Sequence, residues 1–567
     1  MARNVCEEIL RVLEGAGVRQ IFGVTGDALN PLLDAIRHQS QIRWIGVRHE
    51  ETAAFAAAAH YQVTGTLGVC AGTVGPGALH LINGLYNARK EGAAVLAITG
   101  QVPRAEAGSD FFQEVNLSRV FGDVCAFDQA IHSTAQMPRL IQQAVQNALS
   151  GPAVARIELP SDIAPAAVSS DAMAHDTFDT RSEVMPGAED IAQAAEILNA
   201  ARKPAILAGS GCRGARTELL QVAEALRAPI VHALKGSDVM EFDNPYWVGL
   251  TGLIGTDAGY HAIEGCDALL MLGTDFPYRV FYPKNVPIIQ VDIRGENLGK
   301  RTAVTHGLLG HVRPTLAALL PRIDGHSDGK HLAAMQARRK KWDAKMDRAA
   351  DLERKHRRLR PQAVAAAVSR AAADDAIYTV DVGECTVWAA RHVRLRGSQR
   401  MIGSFNHGSL GAAVPAAIGA QAAHPKRQVI ALCGDGGFGM SMQDFVTAVR
   451  YEWPINVIVF NNATLGFVKM EMEATGYPEY GDATDLVNPD FARYAEICGG
   501  IGIKVEEASE VEPAIAEALA SPRPCIIDAF VNPNELLMPP KIAPAQAWGF
   551  SISKLKEILA YAQEKLL

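Results

Sequence analysis

Short, largely apolar runs recur along the chain, each followed by glycine or polar residues and then an amphipathic stretch of helical length. Runs at 21–25 (IFGVT), 67–71 (LGVCA), 94–98 (AVLAI) and 153–159 (AVARIEL) are short and largely apolar. They read as strands buried on both faces, the pattern of a parallel sheet covered by crossover helices. A second group follows at 204–208 (PAILA), 229–233 (PIVHA), 268–272 (ALLML) and 288–292 (IIQVD), and a third at 377–382 (IYTVDV), 428–433 (QVIALC), 456–460 (NVIVF) and 525–531 (CIIDAFV). The expected fold is therefore α/β, with three doubly wound parallel-sheet domains at 1–165, 185–325 and 361–530 and a tail at 531–567. The first and third have similar size and strand rhythm, as a duplication would leave them. Between domains lie 165–188, rich in alanine, aspartate, serine and threonine, and the densely charged 338–360. The latter reads either as a basic binding patch or, since acids are interleaved throughout, as a solvated interdomain helix.

Composition narrows the function. A chain of 567 residues with 48% hydrophobic and 20% charged residues has the profile of a globular protein of about three domains. Its net charge of −8 offers no basic face for a phosphate backbone, so no nucleic-acid partner is expected. No run approaches the roughly 20 apolar residues of a membrane span, and the N-terminus lacks a signal-peptide core, so a cytoplasmic protein is expected. The nine cysteines are scattered and never form Cys-x-x-Cys, which argues against a disulfide framework or structural zinc.

Two glycine clusters match G-x-G-x-x-G, at Gly209–Gly214 and Gly434–Gly439, each where a strand meets a helix N-terminus whose free N–H groups can receive phosphate. A nicotinamide site also wants an acid at the tip of the next strand. Those tips carry His232-Ala233-Leu234-Lys235 and Asn461-Asn462 instead. The second cluster has an acid inside the turn. A carboxylate among diphosphate oxygens is repulsive unless a divalent cation lies between, so Asp435 reads as a Mg²⁺ ligand with Asn462 adding a neutral oxygen; the alternative is a plain helix cap.

Gly434-Asp435-Gly436 followed by Asn461-Asn462 resembles the thiamine diphosphate signature. The resemblance implies that Asp435, Asn462 and the carbonyl of Thr464 bind the metal. It also places Gly436, Gly437, Leu465, Gly466, Phe467 and Val468 around the cofactor, with Gly408, Ser409 and Leu410 beneath its bend; plain core packing is an equal reading of Leu410. Glu50, in Arg48-His49-Glu50-Glu51, matches the glutamate that acts on the aminopyrimidine, although an acid at a helix N-terminus is also favoured by the dipole. Gly75-Pro76-Gly77 and Val24–Asp27 fall where the family lines its site, and Phe112 and Gln113 where it borders thiazolium and substrate.

In the middle domain, Thr251-Gly252-Leu253-Ile254, Thr274-Asp275-Phe276-Pro277-Tyr278 and Asp292 resemble the flavin-binding segments of pyruvate oxidases. Over nearly the whole chain the resemblance is to the thiamine diphosphate- and FAD-dependent pyruvate oxidase family, on its pyruvate dehydrogenase (quinone) side. The supporting stretches are RHEETAAF (48–55), HLINGL (80–85), TGLIG (251–255), GSFNHGS (403–409) and LGFVKM (465–470). It implies a pyrimidine-binding, a central FAD and a diphosphate domain. The activity implied is oxidative decarboxylation of pyruvate, or a similar small 2-oxo acid, to acetate and CO2. Electrons then pass from a thiamine-bound enamine through FAD to a quinone, with Phe467 moving between active-site and flavin-facing positions. Family geometry implies a homodimer at least, and a tetramer by extension. Alternatives are an acetolactate synthase-type carboligase with non-redox FAD, an oxygen- or phosphate-dependent pyruvate oxidase, and a catalytically silent thiamine-fold subunit. In the tail, Ile552, Leu555, Ile558, Leu559 and Leu566 share a helical face beside Lys554, Lys556 and Lys565. That pattern fits peripheral attachment to the inner face of the membrane or a terminal helix packed on its own subunit.

Overall fold

The structure, a computed structural model, describes residues 3–168, 176–178, 182–324, 327–354, 356 and 358–535. The tail face read at 552–567 and residues 169–175 and 179–181 of the linker lie outside them.

Each of the three groups of apolar runs forms the interior of a six-stranded parallel sheet with helices on both faces. The first sheet comprises β1 (Gln20–Gly23), β2 (Arg43–Gly46), β3 (Gly68–Gly72), β4 (Val95–Gln101), β5 (Phe127–Ala130) and β6 (Val154–Pro160), in the order β2-β1-β3-β4-β6-β5. The central sheet comprises β7 (Pro204–Ala208), β8 (Ile230–His232), β9 (Trp247–Leu250), β10 (Ala268–Leu272), β11 (Ile288–Asp292) and β12 (His306–Leu309), in the order β12-β11-β10-β7-β8-β9. The third comprises β13 (Ile377–Val380), β14 (Arg400–Gly403), β15 (Val429–Gly434), β16 (Asn456–Asn461), β17 (Ile501–Val505) and β18 (Cys525–Phe530), in the order β14-β13-β15-β16-β18-β17. The first and third sheets thus share one strand order, as a duplication predicts. The central sheet has the dinucleotide-fold order and reverses between β7 and β10.

The first and third domains pack directly on each other. Helix Glu50–Thr64 lies against helix Ala413–Ala423, both rich in alanine and buried together in one core. A Cβ at Gly419 would sit 2.1 Å from the Ala56 carbonyl oxygen, so the approach needs glycine there. Polar bonds fix the register: the Thr52 hydroxyl and the Arg48 amide donate to the buried Asp444 carboxylate at 2.6 and 2.9 Å. The charged segment is helical over Lys330–Ala349 and stops short of 360; Arg338 pairs with Asp257 and Arg339 with Asp343, the solvated interdomain helix of the sequence reading. All nine cysteines are free thiols. No helix among the described residues is long and apolar enough to cross a membrane.

Candidate active site

Parallel strands present all their C-terminal tips at one edge, and ligands bind where the strand order reverses. In the third sheet that point lies between β13 and β15. Asp381 and Glu384 follow β13, Asp435 follows β15, and Asn461 and Asn462 end and follow β16. Asp435 is 2% exposed. Its Oδ1 accepts from the Gly436 amide at 3.0 Å, and its Oδ2 from the Ala463 amide at 2.7 Å and the Asn488 amide at 2.8 Å. Three of the roughly four lone-pair directions of a carboxylate are thereby used, and one on Oδ1 remains. The N-cap of the helix is Gly434, so Asp435 is not its cap.

The asparagine pair divides its labour because successive strand residues face opposite ways. Asn461 is buried and donates to Asp528 at 2.9 Å. Asn462 turns to the site, where its amide donates to the Glu384 carboxylate at 2.9 Å and its oxygen accepts from the Thr464 amide at 3.1 Å. Ala463 between them has φ of 56°, a left-handed residue that reverses the chain. Burial, with the nearby Asp435 charge as the second cause, raises the Glu384 carboxyl to about 7, and burial raises that of Asp435. A buried carboxylate beside a neutral amide oxygen is a donor set suited to a hard divalent cation. Gly437 is required by Asp381, whose carboxylate oxygen lies 2.1 Å from where a Cβ would stand.

Glu50 begins the helix that follows the edge strand β2 of the first sheet, 7% exposed, with His80 Nδ1 2.9 Å from its carboxylate. The His80 ring stacks on His49 with centroids 4.4 Å apart. The Gln113 carbonyl packs on Gly75 of the adjoining turn, whereas Phe112 is 78% exposed. Among the described residues, Glu50 and Asp435 share no hydrogen-bond partner.

At the reversal point of the central sheet a cavity of about 320 Å³ opens. Residues 251–254 and 274–278 line it together with Gly209 and Ser210 of the first glycine cluster, and from the third domain come Val382, Gly383, Gly408 and Phe467. The hydroxyls of Thr251 and Thr274 are buried there with no hydrogen-bond partner among the described residues, which suits a polar cofactor. Among the described residues, none of the first domain lines this cavity. Asp292 also stands outside it, its carboxylate accepting from the Arg294 amide at 2.9 Å and the Asn297 amide at 3.3 Å. Val468 is 48% exposed and lies off the lining, in contrast to its neighbour Phe467. The Ser409 hydroxyl accepts from Asn83 at 3.0 Å and donates to the Leu410 carbonyl at 3.2 Å. Leu465 and Gly466 begin the helix Gly466–Ala474, Gly466 against the Glu384 carboxylate.

Sequence reasoning missed Glu384 and Asn488. Glu384 follows an apolar run and glycine, a signal that could have found it; Asn488 lies in an irregular segment and has none.

Comparison with known proteins matches residues 3–120 to the thiamine pyrophosphate enzyme N-terminal TPP binding domain, 191–319 to its central domain and 381–529 to its C-terminal TPP binding domain. YdaP of Bacillus subtilis (strain 168), named as thiamine pyrophosphate-containing, is 41% identical over 97% of this chain and 95% of its own. Pyruvate oxidase of Lactiplantibacillus plantarum is 31% identical over 94% of this chain and 89% of its own. The large subunit of acetolactate synthase isozyme 2 from Escherichia coli (strain K12) is 30% identical over 94% and 97%. With the three domains in family order and relatives matched almost end to end, the chain belongs to the thiamine pyrophosphate enzyme family.

Proposed function

We propose that the protein oxidatively decarboxylates pyruvate, or a 2-oxo acid of similar size, to acetate and CO2, with FAD taking the electrons and a quinone receiving them. The observation that carries this reading is the cavity that 251–254 and 274–278 share with Gly408 and Phe467. A flavin held by the first set would lie beside chemistry at the second, an arrangement for which a decarboxylase without a redox step has no need.

When bound, thiamine diphosphate supplies the electron sink for decarboxylation, Mg²⁺ links its diphosphate to the protein, and FAD accepts the electron pair. Asp435, Asn462 and the Thr464 carbonyl are the metal ligands in this reading, with Gly436 and Gly437 beside the diphosphate. Glu50 holds and moves the proton that opens the reaction, with His80 steadying its carboxylate at 2.9 Å. Leu410 props the cofactor, and Phe467 lines the cavity from the third domain. Since the first domain contributes nothing to that cavity, Glu50, Phe112 and Gln113 would serve a second copy of the chain, which makes a homodimer the smallest active unit and a tetramer its doubling.

Anaerobic mixing with pyruvate tests the reading: the flavin should bleach, and a quinone should restore its colour. Formation of acetolactate without bleaching would replace it with the carboligase reading, which the acetolactate synthase relative at 30% identity supports nearly as well as pyruvate oxidase does at 31%. Neither reaction would leave a silent subunit. For the tail, salt-sensitive co-sedimentation with anionic vesicles, lost on truncation after Gly549, is expected if quinone is met at a membrane; equal pelleting of both chains would favour a soluble acceptor.

A further inference from the structure

Helix Glu384–His392 touches both halves of the candidate site. At its first residue Glu384 accepts the Asn462 amide at 2.9 Å. Seven residues on, two turns and about 10 Å along the same face, Arg391 leaves the third domain for the central one. Its Nε donates to the Ile254 carbonyl at 3.1 Å and its Nη2 to the Gly255 carbonyl at 3.5 Å. The guanidinium also lies over Trp342 of the interdomain helix, 5.5 Å from the ring centroid. Ile254 and Gly255 close the turn that begins at Thr251, with the Gly255 amide donating back to Gly252 at 2.9 Å. Thr386, on the same helix as Arg391, lines the cavity beside that turn.

A guanidinium holds two carbonyls at once because its N–H donors form a rigid fork, whereas an ammonium is a single rotating point. With both carbonyls held, neither peptide of the turn is free to flip, and the buried Thr251 hydroxyl keeps its place in the cavity. Burial lowers the Arg391 guanidinium to about 10, so it remains charged at neutral pH.

We propose that Arg391 is a positioning residue for the flavin turn: its fork fixes the 251–255 backbone in the form that receives the cofactor and fastens that turn to the helix steadying Asn462. The proposal rests on the reading of 251–254 as flavin contacts.

The test compares the full-length protein with Arg391→Gln and Arg391→Lys, each with Mg²⁺ and thiamine diphosphate. Hydrogen–deuterium exchange over 250–256 is followed without FAD; FAD affinity is followed by flavin fluorescence, and the bound flavin by visible circular dichroism. Arg391→Gln should speed exchange in the turn, alter the flavin dichroism and weaken FAD by about tenfold, the scale of a charge-assisted hydrogen bond, while thiamine diphosphate affinity holds. Arg391→Lys should recover part of each loss. Wild-type exchange and FAD affinity in Arg391→Gln would overturn the proposal. Should that variant fail to fold, full wild-type behaviour of Arg391→Lys in both measurements would do the same. Should the wild type itself take up no FAD, the flavin reading falls, and exchange over 250–256 alone decides whether Arg391 holds the turn.

Discussion

Glu384 and Asn462 meet over the tip of β15, the Asn462 amide nitrogen 2.9 Å from the Glu384 carboxylate. With the Asn462 oxygen also accepting from the Thr464 amide at 3.1 Å, the carboxamide has one orientation, nitrogen toward the glutamate. Glu384→Ala should release it and weaken Mg²⁺-dependent binding of thiamine diphosphate by about tenfold, as loss of a charge-assisted bond predicts. Glu384→Gln keeps an acceptor and should bind within a few-fold of wild type. A calorimetric titration decides, and unchanged affinity in the alanine variant would remove Glu384 from the site.

Glu50→Gln preserves the shape of the side chain and removes its ability to exchange a proton. Turnover should fall by roughly 10²–10⁴-fold with flavin content unchanged. Near wild-type turnover would take Glu50 out of the mechanism.

Asp435→Ala should abolish Mg²⁺-dependent thiamine diphosphate binding and spare FAD, because 251–254 and 274–278 belong to a different sheet. Retention of both cofactors at normal affinity would mean that the metal site has been assigned wrongly.

Burial raises the Asp381 carboxyl from 3.8 to about 7, and its Oδ1 accepts from the Val382 amide at 2.9 Å. Between those values the folded chain keeps a proton that the unfolded chain has released. This residue's contribution to stability therefore falls as pH rises from about 4 to about 7 and is level above. Asp381→Asn cannot titrate. The melting temperature of the variant relative to wild type should rise by several degrees across that window and then stay constant; a difference independent of pH would show that the group does not titrate there.

The apolar runs read from the sequence are the four inner strands of each sheet, and every strand that reading omits lies at an edge: β2, β5, β9, β12, β14 and β17. An inner strand is covered on both faces and paired on both sides, so it is largely apolar, and that can be seen in one dimension. An edge strand is paired on one side only and is free to carry polar residues, as Arg43–Gly46 and His306–Leu309 do. Edge strands are therefore placed by their neighbours.

The same division holds at the candidate site. Asp435 and Asn462 are legible because a strand, a glycine turn and a second strand tip bring them together within 27 residues of chain. Glu384, Asn488, the bond from Arg391 to the 251–255 turn and the cavity between the central and third domains join segments more than 50 residues apart. The sequence by itself determined which strands are buried and what chemistry their tips carry, because burial and strand–turn–helix geometry act over neighbouring residues. Only the tertiary structure decided which tips share a site, because that follows from strand order and from how the three sheets pack on one another.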